Sequence, residues 1–272
     1  MSLAVDNGLW APDQEARSGI RAAKILSSLG VIEIATSARN VCSLWGKICK
    51  DPLMWRTIHI CNFNPLPCST AEKIQKFCRY AIDQSRGHLE EFQIAFLGTN
   101  AILKYLANST SQLTRLGLIL CEDITDEGLF FVVDKCPQLV ELDIYLCDNC
   151  LYSLEAVGQL CSNLTTLKFQ GIVNESSMAD VIAFAIAKTM PNLRHLEIFV
   201  NKLTNDGLLA ILNGCQHLES LDLRGCVNLN LTASLSKRCS EQVKDLRLPH
   251  CLMLESCYYD DLDDLVAWRL GV

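Results

Sequence analysis

A spacing that returns about every 25 residues sets the terms for any fold of this chain. Its cleanest copy is Leu218-x-x-Leu221-x-Leu223-x-x-Cys226. Leu221 and Leu223 stand two apart, so on a strand they share one face while Asp222 points to the other. With Leu218, the copies opening at Leu89, Leu113, Leu139, Leu164, Leu193 and Val243 follow one another at steps of 24, 26, 25, 29, 25 and 25 residues. Positions four and six are apolar throughout: Phe92 and Ile94, Leu116 and Leu118, Leu142 and Ile144, Leu167 and Phe169, Leu196 and Ile198, Leu221 and Leu223, Leu246 and Leu248. Position nine is Cys121, Cys147, Cys226 and Cys251 in four copies and Asn201 in a fifth; Leu97 and Ile172 break it in the other two. A unit this short cannot bury its own apolar face, so the copies must stack on one another.

Spacing and period resemble the leucine-rich repeat, which implies an α/β solenoid of about seven repeats over residues 89–254. Each repeat is expected to supply one strand and one helix. Ile124-Thr125-Asp126-Glu127-Gly128-Leu129 and Leu203-Thr204-Asn205-Asp206-Gly207-Leu208 mark two helix starts, where a Thr or Asp oxygen accepts from backbone N–H groups that have no partner in the helix. Cys136-Pro137 and Met190-Pro191 close two helices. The strand assignment predicts that Leu221→Asp unfolds the repeats, because it buries an unpaired carboxylate, while Asp222→Ala is nearly neutral.

Composition narrows the classes of function. A net charge of −7 and a pI of about 5.3 argue against a nucleic-acid backbone as the main partner. No apolar run reaches the length of a membrane span; Val181–Ala187 comes nearest. Residues 1–21 lack a basic start followed by a hydrophobic core, so no secretory signal is expected. Fifteen cysteines would suggest disulfides in a small secreted protein, but here four occupy one repeat position as small buried residues. A reduced protein of the cytoplasm or nucleus is the expectation.

Before the repeats the pattern differs. Residues 1–20 are mixed and polar, with Gly8, Pro12 and Gly19 expected to prevent helix and leave the segment poorly ordered. From residue 21 to 61, Ile25, Leu26 and Leu29 form one helical face, Gly30 separates two short helices, and Ala35, Ala38, Val41, Cys42 and Trp45 recur at helical intervals. Asp51-Pro52 breaks the chain ahead of Trp55 and an extended stretch from Thr57 to Cys61. Residues 62–88 form a link with a turn at Pro65 and Pro67. Ile74, Phe77, Cys78, Ala81 and Ile82 then make a helical stripe expected to cap the open end of the solenoid. An acidic tail over 255–272, with Asp260, Asp261, Asp263 and Asp264, follows the last repeat.

Val41-Cys42-x-x-Trp45 followed by Asp51-Pro52-x-x-Trp55, with Ile25-Leu26-x-x-Leu29 ahead of them, resembles the F-box. Together with cysteine-containing repeats, this resembles the plant F-box/LRR-repeat proteins. The resemblance implies a non-catalytic substrate receptor of a Skp–cullin–F-box ubiquitin ligase. Ile25, Leu26, Leu29, Val41, Trp45, Pro52 and Trp55 would then dock on a Skp-type adaptor and, through it, on cullin. The Leu-Pro-acidic opening usual in that family does not precede Ile25, since Pro12-Asp13 lies too far upstream. A second reading therefore stays open: a repeat scaffold or competitor without productive adaptor binding.

On a solenoid, positions three, five and seven of the strands are expected to face solvent. Position seven gives a stripe of Ile119, Tyr145, Gln170, Phe199, Arg224 and Pro249, and position five a mixed charged row of Asp143, Lys168, Glu197, Asp222 and Arg247. Tyr145, Lys168, Gln170, Phe199, Arg224 and Arg247 are the expected contacts to a protein substrate. Chemistry is not expected. The five histidines are scattered with no nucleophile beside them, no glycine-rich phosphate loop is present, and Cys147-x-x-Cys150 is only half a zinc site. No catalytic residue, cofactor or metal is assigned.

Overall fold

The computed structural model of the protein describes residues 12–61, 71–150, 152–171, 176–199 and 202–249. Three helices come first: α1 (Pro12–Leu26), α2 (Val31–Thr36) and α3 (Ser43–Ile48). Strands and helices then alternate: β1 (Thr57–Ile60), α4 (Ala71–Gln84), β2 (Glu91–Ala95), α5 (Asn100–Ser109), β3 (Arg115–Ile119), α6 (Asp126–Lys135), β4 (Glu141–Tyr145) and α7 (Leu154–Leu160). The second half continues with β5 (Thr166–Gln170), α8 (Ser176–Thr189), β6 (His195–Ile198), α9 (Asn205–Gly214), β7 (Ser220–Asp222), α10 (Ala233–Gln242) and β8 (Asp245–Arg247). The strands form one parallel sheet in chain order, each beside the next. This is the leucine-rich-repeat solenoid, an α/β fold. The turn expected at Pro65 and Pro67, position nine at Ile172, Asn201 and Cys251, and the acidic tail lie outside the described residues.

The sheet's register is the sequence period made physical. Phe92, Leu116, Leu142, Leu167, Leu196, Leu221 and Leu246 pair in succession along one row. Side chains at positions one, four and six are buried from Leu89 through Leu223, and Leu246 and Leu248 pack more openly at the last strand. Full burial of each such side chain is worth about 1.5–3 kcal/mol, so the period itself drives the stacking.

Cysteines mortar the repeats in two columns. At position nine, the Cys121 thiol lies 3.6 Å from the Ile94 carbonyl, Cys147 3.5 Å from Leu118 and Cys226 3.3 Å from Ile198, so each donates to the preceding repeat. A second column, which the strand spacing does not reveal, sits just after the helices. There Cys136 donates to Thr110 at 3.6 Å, Cys161 to Cys136 at 3.9 Å and Cys215 to Met190 at 3.5 Å.

The two T-x-x-G-L helix starts have a similar cross-repeat use. Asn100 Oδ1 accepts from the Thr125 amide at 3.0 Å, and Asp180 carboxylate oxygens accept from the Thr204 amide and hydroxyl at 3.0 and 2.7 Å. Glycine follows because these side chains need the room: a Cβ on Gly128 would lie 2.1 Å from Asn100 Oδ1, and on Gly207 2.4 Å from Asp180 Oδ1. Thr204 also caps its own helix, its hydroxyl accepting from the Asp206 amide at 3.2 Å. Thr125 makes no such cap; its hydroxyl accepts from Asn100 Nδ2 at 2.8 Å instead.

The N-terminal part corrects three expectations. Pro12 and Gly19 do not prevent helix: α1 begins at Pro12 and runs through Gly19. Proline in a first turn forgoes an N–H that has no helical partner anyway, and one glycine costs only about 1 kcal/mol. Secondly, the sheet begins at Thr57 and not in the copy opening at Leu89, because β1 pairs with β2 through Ile58–Phe92 and Ile60–Ile94. Trp55 therefore stands at position one of an additional repeat, with Ile58 and Ile60 at positions four and six. Helix α4 belongs to that repeat. Its buried Ile74, Cys78, Ala81 and Ile82 pack it against β1 and α5, so it is not the terminal cap. That place falls to α1–α3, which share one continuous core with the repeats from Leu26 to Val243.

Candidate protein-binding face

Parallel strands bring equal positions side by side, so the sheet's open face carries rows of like-numbered repeat positions. The position-three row runs Thr57, Glu91, Arg115, Glu141 and the position-five row His59, Gln93, Gly117, Asp143, Lys168. Gly117 interrupts the second row. With no side chain there, a depression of about 200 Å³ opens, walled by Glu91, Gln93, Arg115, Glu141, Asp143 and Lys168. Its cations lie against its own carboxylates. Arg115 Nε donates to Glu91 Oε2 at 2.7 Å, and Lys168 Nζ donates to Glu141 Oε1 at 2.6 Å. His59 Nε2 lies 2.7 Å from the other Glu91 oxygen. The hydrogen bond with His59, seconded by Arg115, holds the Glu91 carboxyl down at about 2 against the desolvation of its site.

Toward the last strands a second cluster forms around Asp222, a buried carboxylate. It accepts from Arg224 Nε at 3.0 Å and Arg224 Nη2 at 2.8 Å, and Arg247 Nη1 stands 3.6 Å away. The Arg224 guanidinium lies 5.5 Å over the Phe199 ring. A planar guanidinium fixed by a bidentate carboxylate and an aromatic face is a rigid platform. Asp222 is thus not an idle outward residue, and the expectation that Asp222→Ala is neutral is corrected.

Of the six expected substrate contacts, Lys168, Phe199, Arg224 and Arg247 reach this face, half-buried or exposed. Tyr145 and Gln170 do not; both are almost wholly buried. Tyr145 joins Cys61, Ala95 and Ile119 in a small second cluster onto which Leu120 and Leu146 fold. The cause is backbone: Leu120 and Leu146, at position eight, have φ of +52° and +50°, which breaks strand alternation and swings their side chains back over position seven. The Gln170 Oε1 atom is buried with no hydrogen-bond partner. Glu91, Gln93, Arg115 and Glu141 on the walls and Gly117 at the base are the residues that sequence reasoning missed, although their outward positions three and five were legible.

The seven expected adaptor contacts also divide. Ile25 and Val41 are well exposed, while Leu29, Trp45 and Pro52 are half-buried. Leu26 and Trp55 lie in the core and cannot face a partner. Trp55 Nε1 donates to the Cys49 carbonyl at 2.9 Å, and its ring meets Tyr80 edge-on at 5.8 Å. Leu53, which the motif leaves unassigned, is exposed. Asp51 Oδ1 accepts from the Leu53 amide at 3.0 Å, so Asp51-Pro52 starts a capped turn leading into β1.

Burial pushes the Cys61 and Cys78 thiols up to about 12, and those of Cys136, Cys161 and Cys215 up to about 11. Such thiols are poor nucleophiles and poor ligands. Cys147 and Cys150 both face the core, where the Cys150 thiol donates to the Cys147 carbonyl at 3.1 Å. Among the described residues no group of three His, Cys, Asp or Glu converges as a metal site, and no helix is long and apolar enough to cross a membrane.

The model of the Leucine Rich repeat family matches residues 189–212 and 214–230. F-box/LRR-repeat protein 23 of Arabidopsis thaliana is 47% identical over 229 residues, which are 83% of this chain and 51% of that protein. F-box protein SKIP19 of the same plant is 44% identical, covering 83% of this chain and 74% of its own length. F-box/LRR-repeat protein 9 is 41% identical, with 78% of this chain and 87% of that protein covered. The chain thus spans about half the first of these relatives, 74% of the second and 87% of the third.

Proposed function

The chain belongs to the plant F-box/LRR-repeat family, and from that premise we propose that it is the substrate-recognition subunit of a Skp–cullin–F-box ubiquitin ligase. It performs no chemistry of its own. The exposed apolar residues of α1–α3 and the following turn, Ile25, Val41 and Leu53, meet the Skp-type adaptor. The open face of the sheet holds a protein substrate. Rate enhancement comes from proximity, which raises the local concentration of substrate lysines at a ubiquitin-loaded enzyme.

One observation carries this reading. The helical segment and the repeats share a single core, joined through Trp55 and β1. A receptor must transmit position between its two partners, and a continuous core does so better than a flexible linker. The test is co-purification with a plant Skp-type adaptor, using Val41→Asp and Ile25→Asp as surface variants. Retention by the native chain and loss in folded variants supports the receptor. A folded native chain that retains no adaptor overturns it.

The second reading, a competitor that binds a partner without recruiting a ligase, is favoured by α1. An uninterrupted helix from Pro12 to Leu26 stands where the family's Leu-Pro-acidic opening is expected.

A further inference from the structure

Resting on the receptor reading, we propose that the depression at Gly117 is the specificity pocket of the face and takes one cationic side chain, arginine or lysine, from the protein partner. Size sets the first limit. A space of about 200 Å³ is below the range of about 300–1,000 Å³ typical of sites for drug-sized ligands and suits a single side chain. The space exists because Gly117 lies between Gln93 and Asp143 across the sheet. A Cβ at Gly117 would already meet Gln93 Cγ at 2.8 Å.

Charge sets the second limit. The walls carry three carboxylates, Glu91, Glu141 and Asp143, against two cations, Arg115 and Lys168. Both cations hold carboxylates of the same wall, at 2.6 to 2.7 Å. An entering anion would have to pull them away and would leave those carboxylates exposed to one another. An entering cation still has acceptors to use: Glu91 is taken up by Arg115 and His59, but a carboxylate offers about four lone-pair sites and the Lys168 contact does not exhaust those of Glu141. The chain's net charge of −7 adds a field of the same sign, which speeds the approach of a basic partner. A guanidinium gains most, since paired carboxylates match its fork of donors.

The test uses the full chain labelled with 15N and follows the Gly117 amide by NMR. The probes are pentapeptides Ac-Gly-Gly-X-Gly-Gly-amide with X as Arg, Lys, Gln or Glu. The Arg and Lys peptides should shift the Gly117 amide saturably, at least about tenfold more tightly than the Gln peptide. Asp143→Asn should weaken the Arg peptide several-fold, and added salt should weaken it further. Equal binding of the Gln and Arg peptides, or an unmoved Gly117 amide with the Arg peptide, overturns the pocket. The two proposals fail separately. Selective Arg binding by a chain that holds no adaptor sinks the receptor and leaves the pocket, and adaptor retention without Arg selectivity does the reverse.

Discussion

Two glycines on helices should respond to the same substitution with opposite signs. Helix propensity alone predicts that Gly→Ala stabilises by up to about 1 kcal/mol at either site. At Gly19, in α1, a new Cβ meets nothing within 4 Å, and propensity should win. At Gly214, the last residue of α9, the Cβ would lie 2.1 Å from the Ala187 carbonyl oxygen and 2.6 Å from its Cα. These are backbone atoms of α8 and cannot rotate aside. Ordinary contact needs more than about 3.4 Å, so α9 must withdraw from α8 by about 1 Å. That movement opens an interface where Ile182, Ala183 and Ile186 on one helix and Leu208, Ile211 and Leu212 on the other are buried. Overpacking of this kind costs about 1–3 kcal/mol. Less the small gain expected at a helix end, Gly214→Ala should destabilise by about 1–2 kcal/mol. Urea unfolding followed by circular dichroism measures it: the midpoint should fall for Gly214→Ala with an unchanged slope, and hold or rise for Gly19→Ala. A Gly214→Ala protein as stable as the native chain would refute the close helix approach and the repeat stacking built on it.

Further outcomes follow from the sheet and its thiols. Asp222→Ala should destabilise by about 1–2 kcal/mol, since it strips Arg224 of its bidentate partner on a partly solvated face, whereas Leu221→Asp should cost at least about 4 kcal/mol; equal shifts in thermal unfolding would contradict the strand faces. Glu91 titrates near 2 when folded, against an ordinary 4.5, so its contribution is complete above pH 4.5 and is lost as pH falls through 2. The stability gap between the native chain and Glu91→Gln, about 1 kcal/mol after solvent screening, should therefore close over that window, and a gap that is constant from pH 6 to pH 2 would rule out this ion pair. Maleimide labelling read by peptide mass spectrometry should modify exposed Cys42 at once and leave Cys121, Cys136, Cys147, Cys161 and Cys215 unmodified until urea is added; early labelling of that buried set would contradict the cysteine columns.

What was legible in the sequence, and what was not, divides along a physical line. Positions one, four and six could be read directly because burial is what imposes the period, and every one of those assignments from Leu89 to Leu223 stands. Position seven was misassigned at Tyr145 because alternation holds only while the backbone stays extended. It turns left-handed at position eight, with φ of +64° at Phe96, +52° at Leu120 and +50° at Leu146. Glycine marks such a bend openly, as Gly225 does at φ +74°, but leucine in the same conformation gives no warning. Trp55 shows a different obstacle, the overlap of two patterns on one residue. Asp51-Pro52-x-x-Trp55 carries the F-box resemblance, while Trp55-x-x-Ile58-x-Ile60 has the repeat's own spacing. It stands 34 residues before Leu89, a step longer than any later one, because the first repeat contains a 14-residue helix and a long connection ahead of it. The repeat spacing prevails, since a tryptophan at position one buries more apolar area than any leucine in that row. The F-box segment and the solenoid therefore do not meet at a linker. They share a residue, and a change at Trp55 must disturb both the N-terminal helices and the first strand of the sheet at once.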